Sequence, residues 1–404
     1  MADEVIVVVG IGADGWQGLG EDARAAILGA DEVIGSSRQL ELLPGDAPPR
    51  RAWPSPLDPL LDELAKRENG RVCVLASGDP MLHGIGATLA RRLGAERIEV
   101  LASPSAFSLA CARLGWPAAE VELVSAVARP PEVLARVLQP RRRVIVYVTG
   151  EDGAAEVARV VCERGFGPSR FVVLEQLGGA DERVSESTAG TWGTRHADPL
   201  HLVAIECTAA PGARVHPLIP GLPDDAFESD GALTKRHVRA ATLAALAPTP
   251  CALLWDVGAG SGSVAIEWLR AETSARTIAI ERREDRAERI RRNAATLGVP
   301  SLEVVIGDAP AALGGLDAPD AVFIGGGLTA PGMIARCWDA LAPGGRIVAN
   351  AVTLEGEHML VAARAEHGGE LARIEVAHAE PIGSFTGWRA QRPVVQWSCA
   401  REPA

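Results

Sequence analysis

The chain has 404 residues, 47% of them hydrophobic and 23% charged, with 43 glycines and 28 prolines. That length suits two or three domains with cores of their own, which excludes a small disulfide- or metal-stapled scaffold, and the apolar content excludes a disordered chain. Forty basic residues against 52 acidic ones leave a net charge of −12, which argues against a general electrostatic grip on nucleic acid or anionic lipid, so any anionic ligand must be met by local groups.

The seven cysteines are widely spaced, with no CxxC pair and no disulfide framework, as suits a reducing compartment. The amino-terminal MADEVIVVVGIG lacks a basic n-region and a small-residue cleavage site. No apolar run reaches the ~18 residues of a membrane span. The expectation is a cytoplasmic protein without a membrane or nucleic-acid partner.

In the first half, strand-length apolar runs at Glu4–Val9, Glu32–Gly35, Arg71–Ala76, Arg97–Leu101, Val144–Val148, Phe171–Leu174 and Leu202–Glu206 alternate with helical stretches such as Asp22–Leu28 and Ile85–Leu93. This is the pattern of α/β layers. Gly10-Ile11-Gly12-Ala13-Asp14-Gly15 matches GxGxxG, but the helix is delayed to about Asp22 and the second strand runs out into Gly35-Ser36-Ser37 without a ribose-binding acid, so the dinucleotide fingerprint fails on context. Ser77-Gly78-Asp79-Pro80-Met81-Leu82-His83-Gly84 and Pro104-Ser105-Ala106-Phe107-Ser108 each follow a strand and offer backbone donors and a carboxylate to one cleft. His83 is the candidate base there, against a histidine merely packed beside a turn. Trp53 and Trp116 read as core residues.

Pro211, Pro217, Pro220 and Pro223 crowd the stretch from Ala209 to Ser229, which excludes helix and central strand. It divides the chain into a domain at 1–210, a linker at 211–228 and a domain at 229–404.

The second half alternates more cleanly. Ala252–Val257, Arg276–Glu281, Leu302–Ile306, Ala321–Gly325 and Arg346–Ala349 read as parallel strands joined by helical crossovers, and Leu371–Ala377 with Val394–Ser398 as a closing hairpin. The first of these strands carries Asp256 and opens into Gly258-Ala259-Gly260-Ser261-Gly262 and then a helical run, so a cofactor can lie against bare backbone. The next strand ends in Glu281, placed for ribose hydroxyls, and the next in Gly307-Asp308-Ala309, where a carboxylate could accept from an adenine amine. A dinucleotide would set its pyrophosphate beside Asp256 and be repelled. S-adenosylmethionine carries a sulfonium and an ammonium and no phosphate, so the acids favour the methyl donor. Further on, Gly325-Gly326-Gly327 could admit a wide, flat substrate or simply form a turn. Thr234-Lys235-Arg236-His237 is either a solvated helix start or, placed over the cleft, a grip for carboxylates. Asn350, at a strand end, is open in the same way.

The second half resembles the class I methyltransferases over nearly all of residues 230–400. The resemblance implies a Rossmann-like domain in which Gly258, Gly260 and Gly262 lie under the methionine part of the cofactor, Glu281 holds the ribose, and Asp308 with Ala309 meets the adenine; Thr234 and Asp256 complete the set. The first half resembles the tetrapyrrole methylases over most of residues 4–207, on the GIG loop, ASGDPMLHGIGATLARRLGA, PSAFSLACARLGW, VLEQLGGADERV and LVAIEC. That resemblance implies two α/β subdomains with S-adenosylmethionine folded between them, touching Ser77, Gly78, Asp79, Leu82, Ser105 and Ala106. Ala13 stands where that family often has proline.

Joined in one chain with LTKR and FIGGG, the two halves resemble methylases of the corrin pathway. By that resemblance the chain would use one methyl donor per domain, methylate a reduced corrinoid at C5 with the first domain and at C15 with the second, and release the ring C acetate carboxyl as carbon dioxide in the second. Lys235, Arg236 and Asn350 would hold substrate, no metal would be needed, and the assembly would be a homo-oligomer, dimer or tetramer. A bifunctional NAD(P)-dependent oxidoreductase is the enzymatic alternative, opposed by Asp256 and by the missing ribose acid. A non-catalytic tandem nucleotide-sensing module is the other, and only the linker speaks for it.

Overall fold

The computed structural model describes residues 5–67 and 69–403; Glu4, where the first expected strand starts, lies outside them. The chain divides into two compact units, Met1–Pro131 with Pro140–Ala213, and Glu132–Gln139 with Arg214–Ala404. Among the described residues no helix is long and apolar enough to cross a membrane.

The first unit holds two five-stranded sheets. One consists of β1 (Ile6–Ile11), β2 (Glu32–Gly35), β3 (Arg50–Ala52), β4 (Val72–Ser77) and β5 (Ile98–Leu101) in the order β3-β2-β4-β1-β5. All its pairings are parallel. β1 and β4 are almost continuously apolar because both faces are covered: Val8 and Val74 pack with Leu60, Leu64 and Leu89, whereas Val9 and Leu75 pack with Ile27 and Leu40 on the other side. The second sheet contains β6 (Val121–Ser125), β7 (Arg143–Tyr147), β8 (Arg170–Glu175), β9 (Arg183–Thr188) and β10 (His201–Glu206) in the order β6-β7-β10-β8-β9. It is antiparallel except for β6 on β7. Three of these strands, β3, β6 and β9, escape the sequence pattern. All three are edge strands with one flank open, so they bury little and carry a weak apolar signal. Trp116 is core, at 6% exposure, but Trp53 is not only a core residue: it packs beside the first sheet and also faces a cavity.

In the second unit β11 (Leu253–Val257), β12 (Arg276–Glu281), β13 (Glu303–Ile306), β14 (Ala321–Ile324), β15 (Arg346–Ala351), β16 (Glu370–Ile374) and β19 (Val394–Ala400) form a seven-stranded sheet ordered β13-β12-β11-β14-β15-β19-β16. β13 to β15 are parallel neighbours, and β19 runs antiparallel between β15 and β16. The expected closing pair is thus present. Between its two strands, however, the chain inserts a separate two-stranded hairpin, β17 (Ala377–Ile382) on β18 (Phe385–Ala390).

The proline-rich stretch is packed rather than free from Gly221 onward. Leu222 and Phe227 are buried in the core of the second unit, and the N–H groups of Gly221 and Leu222 donate to the Glu267 carboxylate. Arg239, with no exposed side-chain surface, donates to that same carboxylate at 2.6 Å. Removing one partner of a buried pair strands the other charge and costs about 3–5 kcal/mol. Arg239→Ala is therefore expected to lower the unfolding free energy of the second unit by that amount, read from denaturant curves of Trp255 and Trp268 fluorescence.

Candidate functional site

The first unit holds a cavity of about 490 Å³ between the carboxyl ends of its parallel strands and the second sheet. The end of β4 supplies Ser77 and Gly78, the turn after it Leu82 and His83, and the start of the helix Ala106–Leu114 supplies Ser105 and Ala106. Five of the six expected cofactor residues therefore share one wall. The sixth does not reach it: Asp79 accepts the Met81 N–H at 2.8 Å and caps its own turn. The loops meet through bare backbone, since a Cβ on Gly10 would fall 2.0 Å from the Gly78 carbonyl oxygen.

His83 lines this cavity in a left-handed conformation, φ 56°, edge-on to Tyr147 at 6.1 Å. Other polar groups there were not legible as site residues. Arg38 and Gln39, on the short helix after β2, both donate to Ser77 Oγ at 3.1 Å. Burial pulls the Arg38 pKa down, with Asp198 opposing. His201, 8% exposed, holds Nδ1 2.6 Å from the Asp198 carbonyl oxygen. A carbonyl only accepts, so Nδ1 carries the proton and Nε2 is left as an acceptor. Burial lowers the His201 pKa and favours that neutral form, and Nε2 has no partner. LHLVAIEC reads simply as a strand, which conceals this residue.

The second unit holds a larger cavity of about 720 Å³. Thr234, Lys235, Asp256, Gly258 and Gly260 line it, together with Gly325 and Gly326. Asp256 is 1% exposed; Oδ2 accepts the Ala265 N–H at 3.1 Å, and Oδ1 has no partner. Burial first, and then the neighbouring Glu281 carboxylate, push its pKa up to about 7. A carboxylate with an orphaned oxygen in the wall of a glycine-bared cavity suits a cationic ligand, and so fits S-adenosylmethionine.

Other expected residues stand behind or beside the wall. Gly262 packs against Ile290 and caps the helix Ser263–Ala271. Glu281 accepts from the N–H groups of Gly260 at 2.9 Å and Arg283 at 3.0 Å, which ties the loop to β12 and leaves one lone pair per oxygen. Asp308 is exposed beyond β13, and Ala309 packs on the core. Arg236 does not line the cavity; its backbone N–H donates to Asp224. Lys235 does line it, with Nζ 3.6 Å from Asp224. Asn350 lines it as well, yet its amide is engaged at both ends, by Thr242 at 2.9 Å and Gln396 at 2.9 Å.

The β17–β18 hairpin was missed by sequence reasoning and, with the two residues that follow it, supplies much of the remaining wall: His378, Glu380 and Arg389 from the strands, then Gln391 and Arg392. Gly383-Ser384, between two β-prone runs, is a two-residue hairpin signal that could have revealed it. Arg389 is paired with Glu380 at 3.0 Å, whereas Arg392 has no ion-pair partner among the described residues. Also among those residues, no group of three or more His, Cys, Asp or Glu side chains is arranged to hold a metal ion.

A family model described as tetrapyrrole (corrin/porphyrin) methylases matches residues 5–192, and one described as precorrin methyltransferase domain matches residues 225–401. A protein from Sinorhizobium sp. named precorrin-6Y C(5,15)-methyltransferase (decarboxylating) is 47% identical over 397 residues, covering 97% of this chain and 95% of its own length. One of that name from Mycobacterium tuberculosis is 43% identical over 401 residues, covering 98% of this chain and 100% of its own. The crystal structure of the C-terminal domain of precorrin-6Y C5,15-methyltransferase from Rhodobacter capsulatus is 54% identical, covers 46% of this chain and 99% of that one, and superposes with a TM-score of 0.44. Neither the oxidoreductase nor the nucleotide-sensing alternative finds support among these relatives. Two glycine-bared clefts at strand ends, one beneath each family match, agree with near full-length identity to proteins of a single name: the chain belongs to the decarboxylating precorrin-6Y C(5,15)-methyltransferases.

Proposed function

We propose that the chain methylates a reduced corrinoid at C5 in the cleft of the first unit, and at C15 in the cleft of the second, where the ring C acetate also loses carbon dioxide. One S-adenosylmethionine bound in each cleft supplies an electrophilic methyl group. The observation that carries this reading is that each unit has its own cavity whose lining includes a residue with a buried, unpartnered acceptor, His201 through Nε2 in one and Asp256 through Oδ1 in the other.

A meso carbon of a reduced macrocycle is already nucleophilic, so the clefts must align it and exclude water more than activate it. Orientation of that kind supplies about 7–11 kcal/mol in favourable cases. Ser77, Gly78, Leu82, Ser105 and Ala106 form the cofactor side of the first cleft; Thr234, Asp256, Gly258 and Gly260 form that of the second, with Gly262 and Glu281 holding its loop from behind. Arg38 in one cleft and, in the other, Arg392 together with Lys235, which shares its charge with Asp224, are the cations that meet substrate carboxylates on this reading. The enzyme works in the cytoplasm as a homo-oligomer on this reading.

The test keeps the whole chain. Gly10→Ala drives a Cβ into the Gly78 backbone and so displaces the loop that lines the first cleft, and Gly258→Ala does the same against Gly326 in the second. With reduced corrinoid and labelled methyl donor, Gly10→Ala is expected to yield a product gaining one methyl and losing carbon dioxide, Gly258→Ala a product gaining one methyl only, and the two variants mixed the doubly methylated, decarboxylated product. The opposite assignment of masses overturns the division of labour.

A further inference from the structure

We propose that His378 is the proton carrier of the second cleft, a reading that rests on the decarboxylation and C15 methylation assigned there. Both reactions move a proton. When the acetate carboxyl leaves as carbon dioxide, the electron pair of the broken C–C bond passes into the conjugated ring, and the remaining methylene carbon must gain a proton to become a methyl group. When C15 takes a methyl group from the sulfonium, the sulfur keeps the electron pair of its broken bond, and C15 must release its hydrogen as a proton to restore conjugation. One proton is consumed and one is released, so a single group that gives in one step and takes in the other balances the pair in either order.

The walls of the cleft leave one candidate. Asp256 lines the cleft among the residues assigned above to the cofactor, with Oδ2 taken by the Ala265 N–H, Lys235 is held by Asp224 and Glu380 by Arg389. Arg286, which also lines the cleft, is held by Asp230 at 2.9 Å, and guanidinium groups do not release protons near neutrality. His378 is the imidazole in that wall, and imidazole alone among side chains ordinarily exchanges a proton near pH 7. Its ring is held on two sides. Nε2 lies 2.9 Å from the Gln391 side-chain amide, which with its oxygen turned to the ring accepts the Nε2 proton and leaves Nδ1 to take and give the mobile one, and the His237 ring stands 5.6 Å away, tilted by 45°. Gln391 is itself fixed by its N–H to the Val376 carbonyl at 2.8 Å. The charged groups around His378 are Arg389, its cross-strand partner, with Glu380, Arg392 and Lys235, and the His237 ring stands beside it. Alternation along β17 turns His378 and Glu380 to the same side of the hairpin, the side that lines the cleft.

The test is His378→Gln and His378→Ala in the full chain, with carbon dioxide release, C15 methylation and C5 methylation followed separately against pH. In both variants the first two are expected to fall roughly 100-fold or more, the neutral-pH limb of their rate profile to disappear, and added imidazole to restore part of the rate to His378→Ala. C5 methylation and the binding of S-adenosylhomocysteine in the second cleft, read by calorimetry, should stay within threefold, which shows that the chain is folded and the cleft intact. Retention of both reactions within threefold, or a pH profile unchanged in shape, overturns the proposal. If Gly258→Ala also leaves carbon dioxide release and C15 methylation intact, the chemistry is not in this cleft at all, and it is the underlying assignment that fails.

Discussion

Gly258→Ala is expected to abolish the chemistry of the second cleft while leaving C5 methylation. Gly258 has φ +72°, and a Cβ there would lie 2.7 Å from Gly326 Cα, 2.8 Å from its nitrogen and 2.9 Å from its carbonyl carbon. Neither loop is free to give way. Gly258 N–H is bound to the Ile280 carbonyl at 2.9 Å, and Gly325 N–H to the Val257 carbonyl at 2.9 Å, so both loops are fixed to adjacent parallel strands. The left-handed conformation costs an alanine about 1–2 kcal/mol, and overpacking of backbone on backbone adds about 1–3 kcal/mol. Any relief moves the cofactor wall, and a shift of about 1 Å costs on the order of 100-fold in rate. Gly315→Ala is the control, since that residue has φ +81° with open space where the Cβ would go. It should show the conformational cost alone, with turnover unchanged. Equal losses in the two variants would mean that strain, not the meeting of the two loops, sets the effect.

What the sequence revealed follows from where apolar burial is concentrated. β11, β12, β14 and β15 are covered on both faces by two cores, so their runs and the loops at their ends stood out, Asp256 to Gly260 included. β3, β6 and β9 are edges with few buried side chains, and they did not. The same reason hides half of each site. The first cleft takes Arg38 from a five-residue helix and His201 from the first position of a strand, where neither has a local pattern to mark it. In the second, the cationic wall comes from β17 and β18, whose residues are mostly exposed and so lack the alternation that burial imposes. Arg236 shows the converse error. Adjacency to Lys235 suggested a shared grip, but the two side chains leave the helix start in different directions and only Lys235 lines the cavity.

Cofactor binding in the second cleft is expected to weaken as pH falls below about 7, and the cause is Asp256. In the free protein burial holds this carboxyl at a pKa of about 7, well above its ordinary value of 3.8. A cation beside Oδ1 favours the ionised form, so binding expels the proton wherever the free protein holds it. Affinity for S-adenosylmethionine should therefore be flat above pH 7 and fall by up to about tenfold per pH unit below it. Calorimetry at pH 6 in buffers of different ionisation enthalpy should register close to one proton released per ligand in this cleft, and none at pH 8.5. Stability without ligand has the opposite slope. Between pH 3.8 and about 7 the folded unit binds a proton that the unfolded chain has lost, so this group's contribution is present at acid pH and is lost as pH rises through that window, on the order of 4 kcal/mol in all. Asp256→Asn should remove both dependences and, by loss of a charge-assisted contact of about 1.5–3 kcal/mol, weaken the cofactor roughly 10- to 150-fold at pH 8. A variant that keeps the pH dependence would place the titrating group elsewhere, and the Glu281 carboxylate beside Asp256 would be the next to substitute.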